Sequence, residues 1–174
     1  MTPTIPDRAP KTKPVLTAER VRELFNYDPE TGSLVRLISR GSRKAGAVVN
    51  YPGQKRGQVR IDGEKFLVHR VVWLTVTGFW PDQDIDHVNG NPSDNRFVNL
   101  RLATSEINNQ NRRQAQGNNW AGLLGVGSSG CAKRYRASIV VKGRYIHLGC
   151  FDTPEEAHAA YLAAKRQLHP GCTI

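Results

Sequence analysis

Apolar positions along this chain recur in short groups separated by turn-forming residues, which predicts a succession of short helices and strands. The first group predicts a helix capped by Thr17, because Val21, Leu24 and Phe25 would share one of its faces. Residues 28–32 read Asp-Pro-Glu-Thr-Gly, a sequence that favours a turn and ends this unit.

Three short runs rich in apolar residues, at 34–38, 58–61 and 65–68, predict strands. The Asp-Gly pair at 62–63 favours a two-residue hairpin between the last two runs. Val68–Thr77 is mostly apolar and is followed by a glycine, which predicts a helix that ends there.

The last part of the chain predicts two strands followed by a helix. Tyr135–Val141 alternates in β-like fashion, Lys-Gly at 142–143 makes a turn, and Arg144–Phe151 forms the second strand. Thr153 then caps a helix with a proline at its first position, and Glu156 completes a capping box. Apolar residues recur at helical spacing, so one face packs against the sheet; they are Ala157, Ala160, Tyr161, Ala164 and Leu168.

The most informative residues lie between these parts, in the stretch 84–113 (DIDHVNGNPSDNRFVNLRLATSEINNQNRR). A short β-type run ends in Asp86 and His87. After a polar loop broken by glycine and proline, a second apolar run carries Asn99, and a helix-like segment carries Asn108. One imidazole, one carboxylate and two amides are thus expected on neighbouring elements.

These residue types suit the hydrolysis of a phosphodiester with one metal ion. Asp86 and the amide oxygen of Asn108 are hard oxygen donors that suit Mg²⁺ (or Mn²⁺), which takes few protein ligands beside substrate phosphates. An unperturbed histidine side chain has a pKa of about 6.5, so the neutral imidazole of a residue such as His87 can take a proton from an attacking water. The metal would polarise the phosphate and stabilise the leaving oxygen.

The stretch resembles the HNH nuclease motif, in the version found in phage and intron-encoded homing endonucleases. The matching positions are Asp86-His87, Asn-Gly-Asn at 89–91, Asp94-Asn95, Asn99-Leu100-Arg101 and Asn108, with Val68-His69-Arg70 and Trp80-Pro81 upstream. The resemblance covers roughly residues 15–115 and implies a ββα-metal module with extra strands and a helix.

The same resemblance implies a role for each site residue. His87 would be the general base, and Asn99 would brace the loop and orient His87. Asp86 and Asn108 would hold the metal. His69 has two interpretations, a second active-site group or a buried or capping histidine, and the second is favoured.

The last fifty residues resemble the AP2 DNA-binding domain, a three-stranded antiparallel sheet packed on one helix. The resemblance rests on Gly-Val at 125–126, YRASI at 135–139, YIHLGCFDTPEEAHAAY at 145–161 and the order of the elements. It implies a sheet that enters the major groove of duplex DNA. The residues placed to contact DNA are Arg134, Tyr135, Arg136, Lys142, Arg144 and Tyr145, joined by Arg112 and Arg113 before the sheet.

Charge and composition agree with a nucleic-acid partner. The chain has 174 residues, a net charge of +10 and a pI near 10.0, and a basic excess of this size points to a polyanion. Its three cysteines form no CxxC motif, which argues against a disulfide framework and a zinc ribbon. No signal peptide or membrane-length apolar run is present, so a cytoplasmic protein is expected, in a host cell if phage-encoded.

We therefore expect an α+β protein in four parts: a disordered arm at 1–14, an HNH nuclease domain at 15–113, a linker at 114–122 and an AP2-like domain at 123–174. The predicted function is a site-specific, strand-nicking homing endonuclease that acts on double-stranded DNA as a monomer. Two alternatives stay open, a DNA-binding regulator without catalytic activity and a nuclease for structured RNA.

Overall fold

The computed structural model describes residues 16–49, 57–130 and 135–173. In chain order the elements are α1 (Ala18–Leu24), β1 (Phe25–Asp28), β2 (Ser33–Arg36), β3 (Gln58–Ile61), β4 (Glu64–Leu67), α2 (Val68–Thr77), β5 (Asp84–His87), a 3-10 turn (Phe97–Asn99), β6 (Leu100–Ala103), α3 (Ser105–Gln110), β7 (Val126–Ser128), β8 (Tyr135–Val141), β9 (Arg144–Phe151) and α4 (Pro154–Leu168). The predicted mixture of helices with small antiparallel sheets is confirmed. The predicted arm at 1–14 and Arg134 lie outside the described residues.

Three two-stranded antiparallel hairpins, β1–β2, β3–β4 and β5–β6, surround helices α1 and α2 in the first part of the chain. Their apolar side chains form one core that includes Val21, Leu34, Val59, Ile61, Val71, Val72, Ile85 and Leu100. Each such side chain contributes about 1.5–3 kcal/mol when fully buried. The short elements hold together because they share this core.

The structure differs from the sequence prediction at two element ends. Phe25 does not continue helix α1; it begins β1 and is only 2% exposed. A helix of seven residues is marginal by itself, so burial of this ring in the common core decides its conformation. The strand predicted at 34–38 ends at Arg36, and Leu37 and Ile38 are half exposed.

The turn between β1 and β2 positions a loop of the candidate site. Gly32 has a positive φ of 72°, and a Cβ placed on it would lie 2.4 Å from the backbone nitrogen of Arg96. Only glycine allows the turn to approach the loop this closely. The first hairpin is thereby packed directly against residues 94–97.

The elements β5, β6 and α3 follow one another as the sequence predicts. Asp86 pairs with Arg101 and His87 with Leu100 in the antiparallel register. Thr104 caps α3 by accepting a hydrogen bond from the backbone nitrogen of Ile107. The histidine and the carboxylate therefore lie at one end of a hairpin whose second strand leads into the asparagine-bearing helix.

The last part of the chain forms a three-stranded antiparallel sheet, β7–β8–β9, packed on α4. The predicted strands β8 and β9 are confirmed, and so is the capping box of Thr153 and Glu156. Within the predicted linker, the ring of Trp120 stacks on that of Tyr135, with 5.4 Å between the ring centroids. Within the described residues, no helix has the length and apolar character needed to cross a membrane.

Candidate active site

His87 ends strand β5 and is 9% exposed. Its Nε2 lies 3.1 Å from Oδ1 of Asn95, which is 1% exposed. With the Asn95 amide in this orientation its oxygen accepts from the ring, and Nε2 is then the nitrogen that carries the proton. The other nitrogen, Nδ1, is then the one that can accept a proton.

The first hairpin holds Asn95 in place through Tyr27. The hydroxyl of Tyr27 donates to the backbone oxygen of Asn95 at 3.2 Å and accepts from the backbone nitrogen of Phe97 at 2.8 Å. Burial raises the pKa of Tyr27, so its hydroxyl keeps the proton that it donates. A residue far away in sequence thus fixes the partner of His87.

Asn99 braces the loop between the two strands. Its Oδ1 accepts from the backbone nitrogen of Asn89 at 2.9 Å, and its Nδ2 donates to the backbone oxygen of Asp94 at 2.8 Å. These two hydrogen bonds join the start of the loop to its end, and the role of Asn99 in orienting His87 stays a prediction. The side-chain hydrogen bond to His87, however, is made by Asn95, whose importance the sequence analysis missed.

A second set of contacts stabilises the same loop. The carboxylate of Asp94 accepts from Nε and Nη2 of Arg96, at 2.8 and 2.6 Å, and from Nδ2 of Asn89 at 2.7 Å. The Arg96 guanidinium, with these further donors, lowers the pKa of Asp94 to about 2. Asp94 is therefore ionised at neutral pH and holds the loop in shape.

Asp86 is 6% exposed, and its two oxygens have different partners. Oδ2 accepts from Nε and Nη2 of Arg101, at 3.0 and 2.8 Å, and from Nδ2 of Asn111 at 3.0 Å. Oδ1 accepts only from Asn111, at 3.2 Å, among the residues that the structure describes. A buried carboxylate needs such partners to remain charged.

The two helix asparagines occupy different positions. Asn111, just after α3, is 4% exposed, and its Nδ2 donates to Asp86 and to the backbone oxygen of His87 at 2.7 Å. Asn108 is exposed, and within the described residues its side chain makes no hydrogen bond to Asp86. The structure thus brings Asn111 to the carboxylate, although the sequence analysis had singled out Asn108.

The donor atoms around Asp86 fit a hard divalent cation with few protein ligands. Oδ1 has one weakly placed donor and therefore free lone pairs, and amide oxygens stand on the adjoining helix. No cluster of three or more His, Cys, Asp or Glu side chains occurs among the described residues. A cation here would rest on one carboxylate and amide oxygens and keep most of its water, as Mg²⁺ does.

His69, the second residue of α2, lies beside the site. Its ring centroid is 5.3 Å from that of His87, and the two rings meet edge to face at 87°. His69 is half buried. The structure therefore places it next to the candidate base, and its role stays a prediction.

The residues predicted to contact DNA differ in their solvent exposure and in their contacts within the protein. Arg144 and Lys142 are exposed near the tip of the β8–β9 hairpin, and Tyr145 is 59% exposed. The guanidinium of Arg136 lies over the Tyr145 ring at 5.7 Å. Arg113 donates to the backbone oxygen of residue 173 at 3.2 Å, so it is engaged within the protein.

Arg112 and Tyr135 complete the predicted set within the described residues. Arg112 is exposed and donates to Oδ1 of Asn109 at 3.1 Å. Tyr135 is half buried under Trp120. Of the predicted residues that the structure describes, Arg112, Arg113, Lys142, Arg144 and Tyr145 are exposed to solvent.

Comparison with known proteins now adds to this geometry. An HNH endonuclease family model matches residues 66–110, and Protein 3.8 of Escherichia phage T7 is 30% identical over 102 residues, 58% of this chain and 83% of the phage protein. The chain carries an HNH endonuclease domain and belongs to the same family as this phage protein. The matched residues run from the end of β4 to the end of α3 and include His87, Asn95 and Asn99. No solved structure matches this HNH protein.

Proposed function

We propose that this HNH protein is a metal-dependent DNA endonuclease that hydrolyses one phosphodiester at a time, with His87 as the general base. The observation that carries the proposal is the hydrogen bond from His87 Nε2 to Asn95, which leaves Nδ1 as the basic nitrogen. The adjacent residue, Asp86, supplies a buried carboxylate on the same strand.

In the proposed reaction, Nδ1 of His87 takes a proton from the water that attacks phosphorus. In the imidazolium that forms, Nε2 still donates its proton to Oδ1 of Asn95, and this hydrogen bond holds the ring in its orientation. A divalent ion held by Asp86 and Asn108 would stabilise negative charge on the phosphate and the leaving oxygen. Arg101 orients Asp86 for that purpose through hydrogen bonds to Oδ2.

DNA is the proposed substrate, and the β7–β9 sheet is the proposed site-reading surface. Exposed Arg144 and Tyr145 on β9 support this proposal, as does the net charge of +10. Phosphate contacts would supply most of the affinity, and contacts with base edges would supply the choice of site. The sheet would then act as an AP2-like module.

A single Asp-His set breaks one strand per encounter, so we propose a monomer that nicks an asymmetric site. Cutting both strands together would need a second copy on a symmetric site. A phage or mobile-element homing endonuclease is the proposed setting, and the similarity to a phage T7 protein supports the phage part of it.

Supercoiled plasmid carrying DNA from the source genome tests the proposal directly. We expect open-circle product with Mg²⁺ or Mn²⁺, no product with excess chelator, and roughly 10²–10⁴-fold slower cleavage by His87→Ala. Asp82→Asn, at an exposed position just before β5, is the matched control and should cleave normally. DNA binding without cleavage by the wild type would favour the inactive regulator, and preferential cleavage of matched RNA would favour the RNA nuclease.

A further inference from the structure

Beyond helix α4 the chain turns back onto the HNH part, in residues 169–173, here named the return segment. The backbone nitrogen of Gly171 donates to Oε1 of Gln110 at 3.0 Å, and its carbonyl oxygen accepts from Nη2 of Arg101 at 2.9 Å. Arg101 is the residue that binds Asp86 through the same Nη2. One guanidinium therefore joins the return segment to the site carboxylate.

A second link runs through Thr173. Its hydroxyl lies 2.6 Å from Oδ1 of Asn111 and 2.6 Å from the backbone oxygen of Val88, and it accepts from Nη2 of Arg113 at 2.8 Å. The hydroxyl can donate its single proton to either oxygen. In either case Thr173 contacts Asn111 and Val88, two residues of the HNH part that lie far from it in sequence.

The Thr173 hydroxyl and the Asp86 carboxylate, on opposite sides of the Asn111 amide, favour the same orientation of that amide. With Oδ1 against the Thr173 hydroxyl, the amino group faces four oxygens, the two of the Asp86 carboxylate and the backbone oxygens of His87 and Val88. The opposite orientation would set the amide oxygen against a carboxylate inside a buried site, where unpaired polar atoms are costly.

The close approach of the return segment depends on a glycine. A Cβ placed on Gly171 would lie 2.8 Å from the backbone oxygen of Ile107 and 3.1 Å from the Gln110 side chain. Any larger residue would push the segment away from α3, and Thr173 would move with it. The two positions, Gly171 and Thr173, thus test the same contact independently.

We propose that the return segment is part of the nuclease site, with Thr173 as a positioning residue that fixes the Asn111 amide and, through it, the Asp86 carboxylate. The proposal rests on the proposed function, because it concerns how Asp86 is presented to a cation. It makes the HNH site depend on residues outside the span that the family model matches.

The experiment compares Thr173→Val, which removes the hydroxyl, with Thr173→Ser, which keeps it. Equilibrium Mn²⁺ binding is measured first, without DNA. Removal of an outer partner of a metal ligand typically lowers metal affinity about 10–100-fold. We expect a decrease of that size in Thr173→Val and in Gly171→Val, and near wild-type affinity in Thr173→Ser. Gln167→Ala, on the exposed end of α4, is the control.

Amide exchange of residues 86–89 and 105–113 is measured on the same variants and needs no metal. We expect faster exchange in Thr173→Val than in Thr173→Ser. Equal Mn²⁺ affinity, equal exchange and equal cleavage in all variants would overturn the proposal, as would faster cleavage by Thr173→Val. Absence of cleavage in the wild type, with the exchange difference present, would instead count against the proposed function alone.

A separate observation concerns the first two hairpins. A groove of about 390 Å³ between them is lined by four arginines, Arg36, Arg40, Arg43 and Arg60. Its carboxylate, Asp62, already accepts from Arg20 at 2.8 and 2.9 Å and from Arg40 at 3.3 Å. Among the described residues, Arg36, Arg43 and Arg60 make no ion pair with a carboxylate.

The groove therefore concentrates positive charge that the protein itself does not neutralise. Burial lowers the pKa of Arg36, and the positive charge of the nearby Arg43 adds to this effect. Arg36 is also held in place over the Phe25 ring at 4.9 Å. Guanidinium groups in this arrangement match the oxygens of a phosphate group.

We infer that this groove binds phosphates of the DNA backbone, in addition to the binding by the β7–β9 sheet. The test measures binding of a duplex to His87→Ala protein at several salt concentrations. Removing one side chain that binds a phosphate should reduce the slope of log affinity against log salt by about 0.9. We expect a reduction of at least that size in Arg43→Gln/Arg60→Gln and none in Arg166→Gln, an exposed arginine on α4. An unchanged slope in the double variant would overturn the inference. Because the experiment measures binding, its result does not depend on whether the wild type cleaves DNA.

Discussion

Asn95 is the side-chain hydrogen-bond partner of His87, with Oδ1 3.1 Å from Nε2 and both residues buried. Because the amide oxygen can only accept, this pair selects one tautomer of the imidazole. The pair is separated by eight residues and a polar loop, so its formation depends on how that loop is held.

The first prediction concerns the base itself. His87→Ala should slow cleavage by roughly 10²–10⁴-fold, the usual contribution of a general base, and leave duplex binding unchanged. Single-turnover cleavage and fluorescence anisotropy measure the two effects. A fully active His87→Ala enzyme would remove His87 from the mechanism.

The second prediction concerns the tautomer. Asn95→Leu, which keeps the size but not the acceptor, should reduce kcat by up to roughly 10⁴-fold, the loss known for a catalytic histidine held in the wrong tautomer. Asn95→Asp should instead move the acid limb of the pH–rate profile to higher pH, since a carboxylate stabilises the imidazolium. The pH–rate profile distinguishes this role from a purely structural one, which would not move the limb.

The third prediction separates the two asparagines near α3. Asn111→Ala should lower the free energy of unfolding by about 1–3 kcal/mol, because it removes the donor that the described residues provide to Oδ1 of the buried Asp86, and one of the donors to the backbone oxygen of His87. Asn108→Ala should change stability by less than about 0.5 kcal/mol, since its side chain is exposed.

Cleavage measured beside urea unfolding completes the comparison. If Asn108 is a metal ligand, Asn108→Ala should need a higher Mg²⁺ concentration for half-maximal cleavage rate, and its urea unfolding midpoint should be the same as that of the wild type. Normal Mg²⁺ dependence in Asn108→Ala would exclude Asn108 from the metal site.

The fourth prediction concerns the sheet. Arg144→Ala should weaken binding to the preferred site by about 1–3 kcal/mol if this exposed side chain contacts a guanine edge. Loss of a phosphate contact would instead weaken binding to all sequences alike. Lys142→Ala, at the neighbouring exposed position, is measured for comparison with Arg144→Ala. Binding to matched and mismatched duplexes distinguishes the two, and unchanged affinity in both variants would contradict DNA contact at this hairpin.

The fifth prediction is a pH dependence of stability from Asp94. Its pKa in the folded protein is about 2, below the ordinary value of 3.8, so its ionised form stabilises the fold. That contribution is fully present above about pH 4 and is lost as pH falls toward 2. Asp94→Asn should therefore lower Tm at pH 6 and match the wild type near pH 2. Asp82→Asn, at an exposed position, is the control. A difference in Tm between Asp94→Asn and the wild type that does not change with pH would show that ionisation of Asp94 is not its origin.

Sequence alone determined the short elements and the chemistry carried on them. The strands β3, β8 and β9 and the helix Val68–Thr77 followed from local patterns, because turn residues and apolar periodicity act over a few positions. The capping box of α4 is likewise local. The HNH endonuclease domain was predicted from a resemblance to the HNH motif carried by Asp86-His87, Asn99 and Asn108, and the family match at residues 66–110 confirms the domain.

Only the tertiary structure decided which side chains meet. Asn95 reaches His87 because Tyr27 and Gly32, more than sixty residues earlier, hold its loop. Asn111, and not Asn108, meets Asp86 because α3 ends just before Asn111 and the return segment brings Thr173 against the amide. Such contacts are long-range hydrogen bonds in a buried site, and their geometry is set by packing, which no local pattern encodes.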